Sequence, residues 1–157
     1  MITPHTNALI KRHSSYYKTR ILNGREEKHS IHKPEVILDQ CCLAHGSTFA
    51  GRKAAAEKIL KSKNKLPIPV IPQKGVYMFP TSSMKSCHCA WLSYYQIRYF
   101  EARDDKTYVK FHDGTHLFVN ISERALDQQY KRTSQVIAVL NRPFFFNHNS
   151  PSLHSYL

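Results

Sequence analysis

The chain has 157 residues, 41% of them apolar, which is enough for one ordinary domain with a real core and too apolar for a disordered polymer. Lys and Arg total 23 against 11 Asp and Glu, a net charge of +12 with histidine neutral. That excess points to polyanionic partners, and no stretch approaches the roughly 20 apolar residues of a membrane-spanning helix.

"MITPHTNALIKRHSS" lacks the apolar core of a signal peptide, so a cytoplasmic protein is expected. Its four cysteines are then expected to be reduced thiols. Residues 1–33 alternate only weakly. "YYKTRIL" (Tyr16 to Leu22) and "EKHSIH" (Glu27 to His32) read as short strands around a turn at Asn23-Gly24. Pro34 opens "PEVILDQCCLAHG", where proline first, an acid beside it and Gly46 last punctuate a helix.

Ser47 or Thr48 can cap the next helix, roughly Phe49 to Lys61, with Phe49, Ala56 and Leu60 in one stripe. Lys53 falls inside that stripe, so its stem snorkels or its ammonium reaches a partner. "KLPIPVIP" excludes a helix and suits an edge strand or extended segment. "GVYMFP" reads as a buried strand and "TSSMKSCH" as a polar loop. "AWLSYYQIRYFEAR" has strand composition.

"KTYVKFHDGTHLFVNIS" reads as a hairpin. A three-residue loop, His112-Asp113-Gly114, pairs Phe111 with Thr115 and Val109 with Leu117. That register gathers Val109, Phe111, Leu117 and Val119 on one face and leaves Gly114 left-handed. Ser122 then caps a helix with the stripe Leu126, Tyr130, Thr133, Ile137 and Leu140, and with Lys131 and Arg132 on its exposed side. The segment Pro143 to Leu157 has no charged side chain and reads as a tail. The expected fold is α+β: an antiparallel sheet with two or three packed helices in a single domain.

Three groups of residues could carry chemistry. Between Arg52 and Lys65 stand six cations, Arg52, Lys53, Lys58, Lys61, Lys63 and Lys65, against one acid, Glu57. A solvated face usually mixes signs to gain helical ion pairs, whereas a one-signed row leaving a helix end can follow a phosphate backbone. Tyr94, Tyr95, Tyr99 and Phe100, mixed with Arg98 and Arg103, could stack on single-stranded bases or simply furnish a sheet. "CCLAH" (Cys41, Cys42, His45) and "CHC" (Cys87, His88, Cys89) could meet as a zinc site, but neither has the usual spacer, so buried thiols are expected and no metal or other cofactor. No phosphate-cradling loop, nucleophile elbow or zinc-protease motif is present, so no enzyme is expected.

With those residues assembled, the chain resembles the ComK family of competence transcription factors. The resemblance is carried by "CCLAHGSTFAGRKAAAEKIL", "LPIPVIPQKGVYMFPTSS" and "CAWLSYYQIRYFEA", and extended by "VKFHDGTHLFVNIS" and "QYKRT". It covers about Glu35 to Leu140, which suggests a strand region at 1–33, a DNA-binding core at 34–142 and a tail at 143–157. The resemblance implies a transcriptional activator that binds paired A/T-rich promoter boxes, mainly through the minor groove, as a homodimer or dimer of dimers. It also implies turnover by a Clp protease through an adaptor, for which Phe144, Phe145 and Phe146 are the candidate segment. On this reading Arg52 and Lys53 lie near the groove, and Lys58, Lys61, Lys63 and Lys65 contact phosphates. A single-stranded nucleic-acid or RNA-binding module using the same patch is the alternative.

Overall fold

The structure, a computed structural model, describes residues 1–149, with side chains described through residue 142. The elements in chain order are β1 (Thr6–Lys11), β2 (Thr19–Asn23), β3 (Glu26–Ser30), α1 (Pro34–Ala44), α2 (Phe49–Leu60), β4 (Ile68–Ile71), β5 (Val76–Pro80), β6 (Ala90–Ser93), β7 (Ile97–Arg103), β8 (Lys106–Phe111), β9 (His116–Val119) and α3 (Glu123–Asn149). Six strands form one antiparallel sheet in the order β3-β2-β1-β6-β5-β4, and β7-β8-β9 form a second. The class is α+β, as the sequence suggests.

The large sheet is buried on both faces except at its edge strand β3, which is exposed. Leu9, Ile21, Met78 and Trp91 point to the side covered by Ile37, Leu38, Cys41 and Cys42 of α1. Their neighbours Ala8, Leu22, Phe79 and Leu92 point the other way, against Val109, Phe111 and Val119 of the small sheet and Leu126 of α3. Alternate side chains leave a strand on opposite faces, so both faces must be apolar here. Each fully buried Leu of this kind is favoured by about 1.5–3 kcal/mol over exposure. A third cluster, Ala56, Leu66 and Val136 with Ile59 and Leu60, joins α2 to α3.

This burial explains where sequence reading falls short. β1, "TNALIK", pairs with β2 and β6 and is covered on both faces, Leu9 entering one core cluster and Ala8 and Ile10 the other. It therefore shows no polar–apolar alternation, and residues 1–33 contribute three strands to the main sheet. Ala90 to Arg103 is two strands rather than one. A 3₁₀ turn at Tyr94–Gln96 takes the chain from the large sheet to the small one.

Other elements match the sequence closely. Thr48 caps α2, its Oγ1 accepting from the Gly51 amide at 2.9 Å. Ser122 Oγ accepts from the Ala125 amide at 3.1 Å. β4 is an edge strand despite Pro69, as a missing N–H requires. In the β8–β9 hairpin Val109 pairs with Leu117 and the Phe111 amide donates to the Thr115 carbonyl at 2.9 Å. Gly114 has φ +91°, in the left-handed region that the three-residue loop demands. On α3, Leu126, Thr133 and Ile137 are buried and Tyr130 half-buried, but Leu140 is exposed, because the buried stripe runs instead through Gln129 and Val136. The helix runs across residues 142–143, where the sequence suggests a tail begins. Phe144, Phe145 and Phe146 lie outside the residues whose side chains are described. Among the described residues no helix is long and apolar enough to cross a membrane.

Candidate nucleic-acid interface

α2 ends at Lys61, which takes a left-handed conformation with φ 53° while its amide bonds the Glu57 carbonyl at 2.8 Å. Lys65 is left-handed as well, at φ 48°. Non-glycine residues pay roughly 1–2 kcal/mol for such a backbone, so something must hold it. Two side chains of α3 do. Gln129 Nε2 donates to the Lys65 carbonyl at 2.9 Å and to the Pro80 carbonyl at 2.7 Å. Arg132 donates to the carbonyls of Lys65 at 3.1 Å and Asn64 at 2.8 Å, and to Ser62 Oγ at 3.2 Å. It also donates to Gln129 Oε1, so the two side chains act together.

This fixed loop borders a cleft of about 490 Å³. Its walls come from α2, the connection into β4, the β5–β6 connection and the start of α3. Lys53, Lys63 and Lys65 supply its cations, and Phe49, Leu66 and Trp91 part of its apolar lining. Lys53 is only half-buried. It therefore follows the snorkelling alternative, with its stem on the apolar lining. Phe49 meets Trp91 edge-on, with ring centroids 6.2 Å apart. Trp91 is 1% exposed, yet its Nε1 has no hydrogen-bond partner among the described residues, and neither has the buried Oγ of Ser82, another residue of the lining. The three lysine ammonium groups give the cleft a positive, donating rim, complementary to anions.

The structure thus brings three of the six sequence candidates together on one cleft. Lys58 and Lys61 are exposed and do not line it. Arg52 turns toward α1, where its charge acts on the Cys42 thiol and its Nε is buried without a partner among the described residues. Among the described residues none of the six forms an ion pair; the three pairs present are Arg20–Glu27, Arg103–Glu101 and Lys131–Asp127. Sequence reasoning missed Gln129 and set Arg132 with Lys131 on the exposed side of α3, whereas Arg132 is half-buried because it bonds the loop that follows α2. Only the period-3.6 neighbourhood of Leu126 and Thr133 hints that Gln129 faces inward.

The cysteines take structural places. Cys41, Cys42 and Cys89 belong to the same apolar cluster as Trp91, and Cys87 is exposed. Burial pushes the Cys42 thiol up to about 11 and raises Cys41 and Cys89 too. His45 Nδ1 sits 2.9 Å from the Cys41 carbonyl oxygen. Among the described residues no three His, Cys, Asp or Glu side chains gather where a metal could sit.

The aromatic residues divide. Tyr94 and Phe100 pack on the core cluster shared by the two sheets, while Tyr95 and Tyr99 are exposed. Tyr99, Tyr108, His116 and Phe118 touch one another across the outer face of the small sheet. The Arg103 guanidinium lies 3.7 Å from the Tyr108 ring centroid.

No solved structure matches the chain. It is similar to a protein named competence transcription factor from Bacillus subtilis (strain 168), with 36% identity over 103 residues. That alignment covers 65% of this chain and 54% of the relative, so the match spans about half the relative's length. The family model described as ComK protein matches residues 1–144, which takes in the first third that sequence inspection left out. With that match over most of its length, the chain belongs to the ComK family.

Proposed function

We propose that the chain is a DNA-binding transcriptional regulator that recognises paired A/T-rich boxes, mainly through the minor groove. The observation that carries this reading is the convergence of Lys53, Lys63 and Lys65, free of ion pairs among the described residues, on one cleft of a ComK-family chain. An A-tract minor groove is narrow and strongly negative, and it presents only acceptors. Cations held on a fixed loop suit it in charge and in hydrogen-bond sense. The same reading takes the protein as a homodimer or dimer of dimers, working in the cytoplasm and passed to a Clp protease by an adaptor. It is a binding protein rather than an enzyme.

The test is fluorescence anisotropy with two duplexes of equal length at two salt concentrations. One duplex carries two A/T tracts a helical turn or two apart, and the other is G/C-rich. A preference for the A/T duplex that survives the higher salt is the expected result. Equal binding that collapses with salt would reduce the interaction to net charge and sink the regulator reading.

A second reading rests on the outer face of the small sheet, where the exposed Tyr99, His116 and Phe118 surround the buried Tyr108 and offer rings to unpaired bases. Tighter binding to single-stranded oligonucleotides than to either duplex would favour it.

A further inference from the structure

The register of the large sheet has a consequence for charge. Lys11 pairs with Thr19, Thr19 with Ser30, Ile10 with Ala90, Pro80 with Trp91 and Ile68 with Met78. The end of β1, the start of β2, the end of β3, the start of β6, the end of β5 and the start of β4 therefore all lie at one end of the sheet. Four connections meet there: residues 12–18, 31–33, 61–67 and 81–89. Together they hold seven Lys or Arg and no Asp or Glu. The opposite end, formed by residues 1–5, 24–25, 72–75 and 94–96, holds two, Arg25 and Lys74.

Within the basic end, Lys11, Arg12, Lys18 and Lys33 line a second groove of about 410 Å³, together with His13, Ser14 and Ser15. No acid lines it, and none of these four cations forms an ion pair among the described residues. The two grooves are joined. Lys11 Nζ donates to the Met84 carbonyl at 2.7 Å, and Met84 lines the cleft that holds Lys53, Lys63 and Lys65. The 12–18 connection also exposes Tyr16 and Tyr17, set edge to face at 4.8 Å.

We propose that this whole end of the six-stranded sheet is the duplex-binding surface, with Arg12, Lys18 and Lys33 a second phosphate-contacting group. The inference rests on the DNA-binding reading above and extends it to residues about 20–40 positions upstream of the block that begins at Arg52. Four strand steps separate β2 from β4, about 19 Å at 4.8 Å per step. With one phosphate of each strand per 3.4 Å of helix axis, that width covers about five or six base pairs of a duplex. A duplex is the occupant favoured, because a surface of this breadth with seven cations and no acid in its connections suits a rigid, evenly charged polyanion.

The experiment compares the full chain with the triple variant Arg12→Ala, Lys18→Ala, Lys33→Ala and with a control, Arg25→Ala, Lys74→Ala, from the opposite end. Circular dichroism and a thermal melt verify folding. Lys33 makes no side-chain cap bond to α1, so its truncation leaves the helix start intact. Should the triple variant fold poorly, Arg12→Gln, Lys18→Gln, Lys33→Gln replaces it. The expected result is weaker binding to both A/T and G/C duplexes, and a slope of log K against log salt smaller by about two to three, at about 0.9 per phosphate contact. The control keeps the full slope. If the unaltered protein binds duplex and the triple variant matches it in affinity and slope, the second group is overturned while the regulator reading stands. If the unaltered protein binds neither duplex, both fail. Anionic phosphatidylglycerol vesicles form a third arm. Loss of vesicle binding with duplex binding unchanged would make the surface a membrane contact and also overturn the proposal.

Discussion

Arg132 of α3 donates to the main-chain carbonyl of Lys65 at 3.1 Å, a residue 67 positions upstream. With Gln129 it holds the loop that aims Lys63 and Lys65 into the cleft. Arg132→Ala or Gln129→Ala should therefore weaken duplex binding several-fold while leaving the salt slope nearly intact, because no phosphate-contacting charge is removed. Anisotropy titrations over a salt series read both quantities. A proportional fall in slope would instead make Arg132 a phosphate contact.

Direct contacts should behave in the opposite way. Lys63→Ala with Lys65→Ala should lower the slope by about two and weaken binding to all sequences alike. Lys58→Ala, which points away from the cleft, should change the slope by well under one unit.

Lys61 ends α2 in the left-handed conformation that glycine adopts without strain. Lys61→Gly should stabilise the fold by about 0.5–1 kcal/mol, the relief of left-handed strain less the entropy that glycine adds to the unfolded chain. Urea denaturation measures this. If Lys61 also meets phosphate, the same variant binds duplex more weakly, so stability and affinity move apart.

Asn7, fully buried on β1, reaches the β8–β9 turn, its Nδ2 donating to Asp113 Oδ2 at 2.7 Å and to Thr115 Oγ1 at 3.1 Å. This bond ties the two sheets together. Asn7→Ala should cost about 1–3 kcal/mol in urea denaturation. Burial raises the Asp113 carboxyl, but hydrogen bonds from Thr115 and Asn7 outweigh it, so its pKa is lowered. The stabilisation from the carboxylate is then present above its unfolded value, about 3.9, and is lost as pH falls below that. The stability difference between the protein and Asp113→Ala should be constant near neutrality and narrow below about pH 4.

Burial raises three thiols, Cys42 to about 11. A thiol reagent at pH 8 should modify Cys87 quickly and the other three only as the chain unfolds. The sign for stability follows. Unfolded cysteines ionise near 8.5 and the buried ones do not, so stability is intact below that value and falls as pH rises from about 8.5 toward 11. A flat alkaline stability curve would contradict the burial.

Much of the fold is legible in the sequence because local chemistry sets it. Thr48 and Ser122 cap helices through contacts three residues long. The β8–β9 register follows from Gly114 and from the need to bury Val109 and Phe111 together. Pro69 keeps β4 at a sheet edge. Each of these is settled by neighbours in the chain, so each leaves a pattern there.

What the tertiary structure decided depends on residues far apart in sequence. β1 is hidden from pattern reading because its two faces meet different layers, and a strand covered on both sides has no polar face to alternate with. The division of the cations is set in the same way. The sequence marks a basic block, but only the fold takes Lys53, Lys63 and Lys65 to one cleft and turns Arg52 toward α1. Antiparallel pairing then carries the ends of distant strands to one edge. Arg12, Lys18 and Lys33 thus join a charged surface that no local window of the sequence contains.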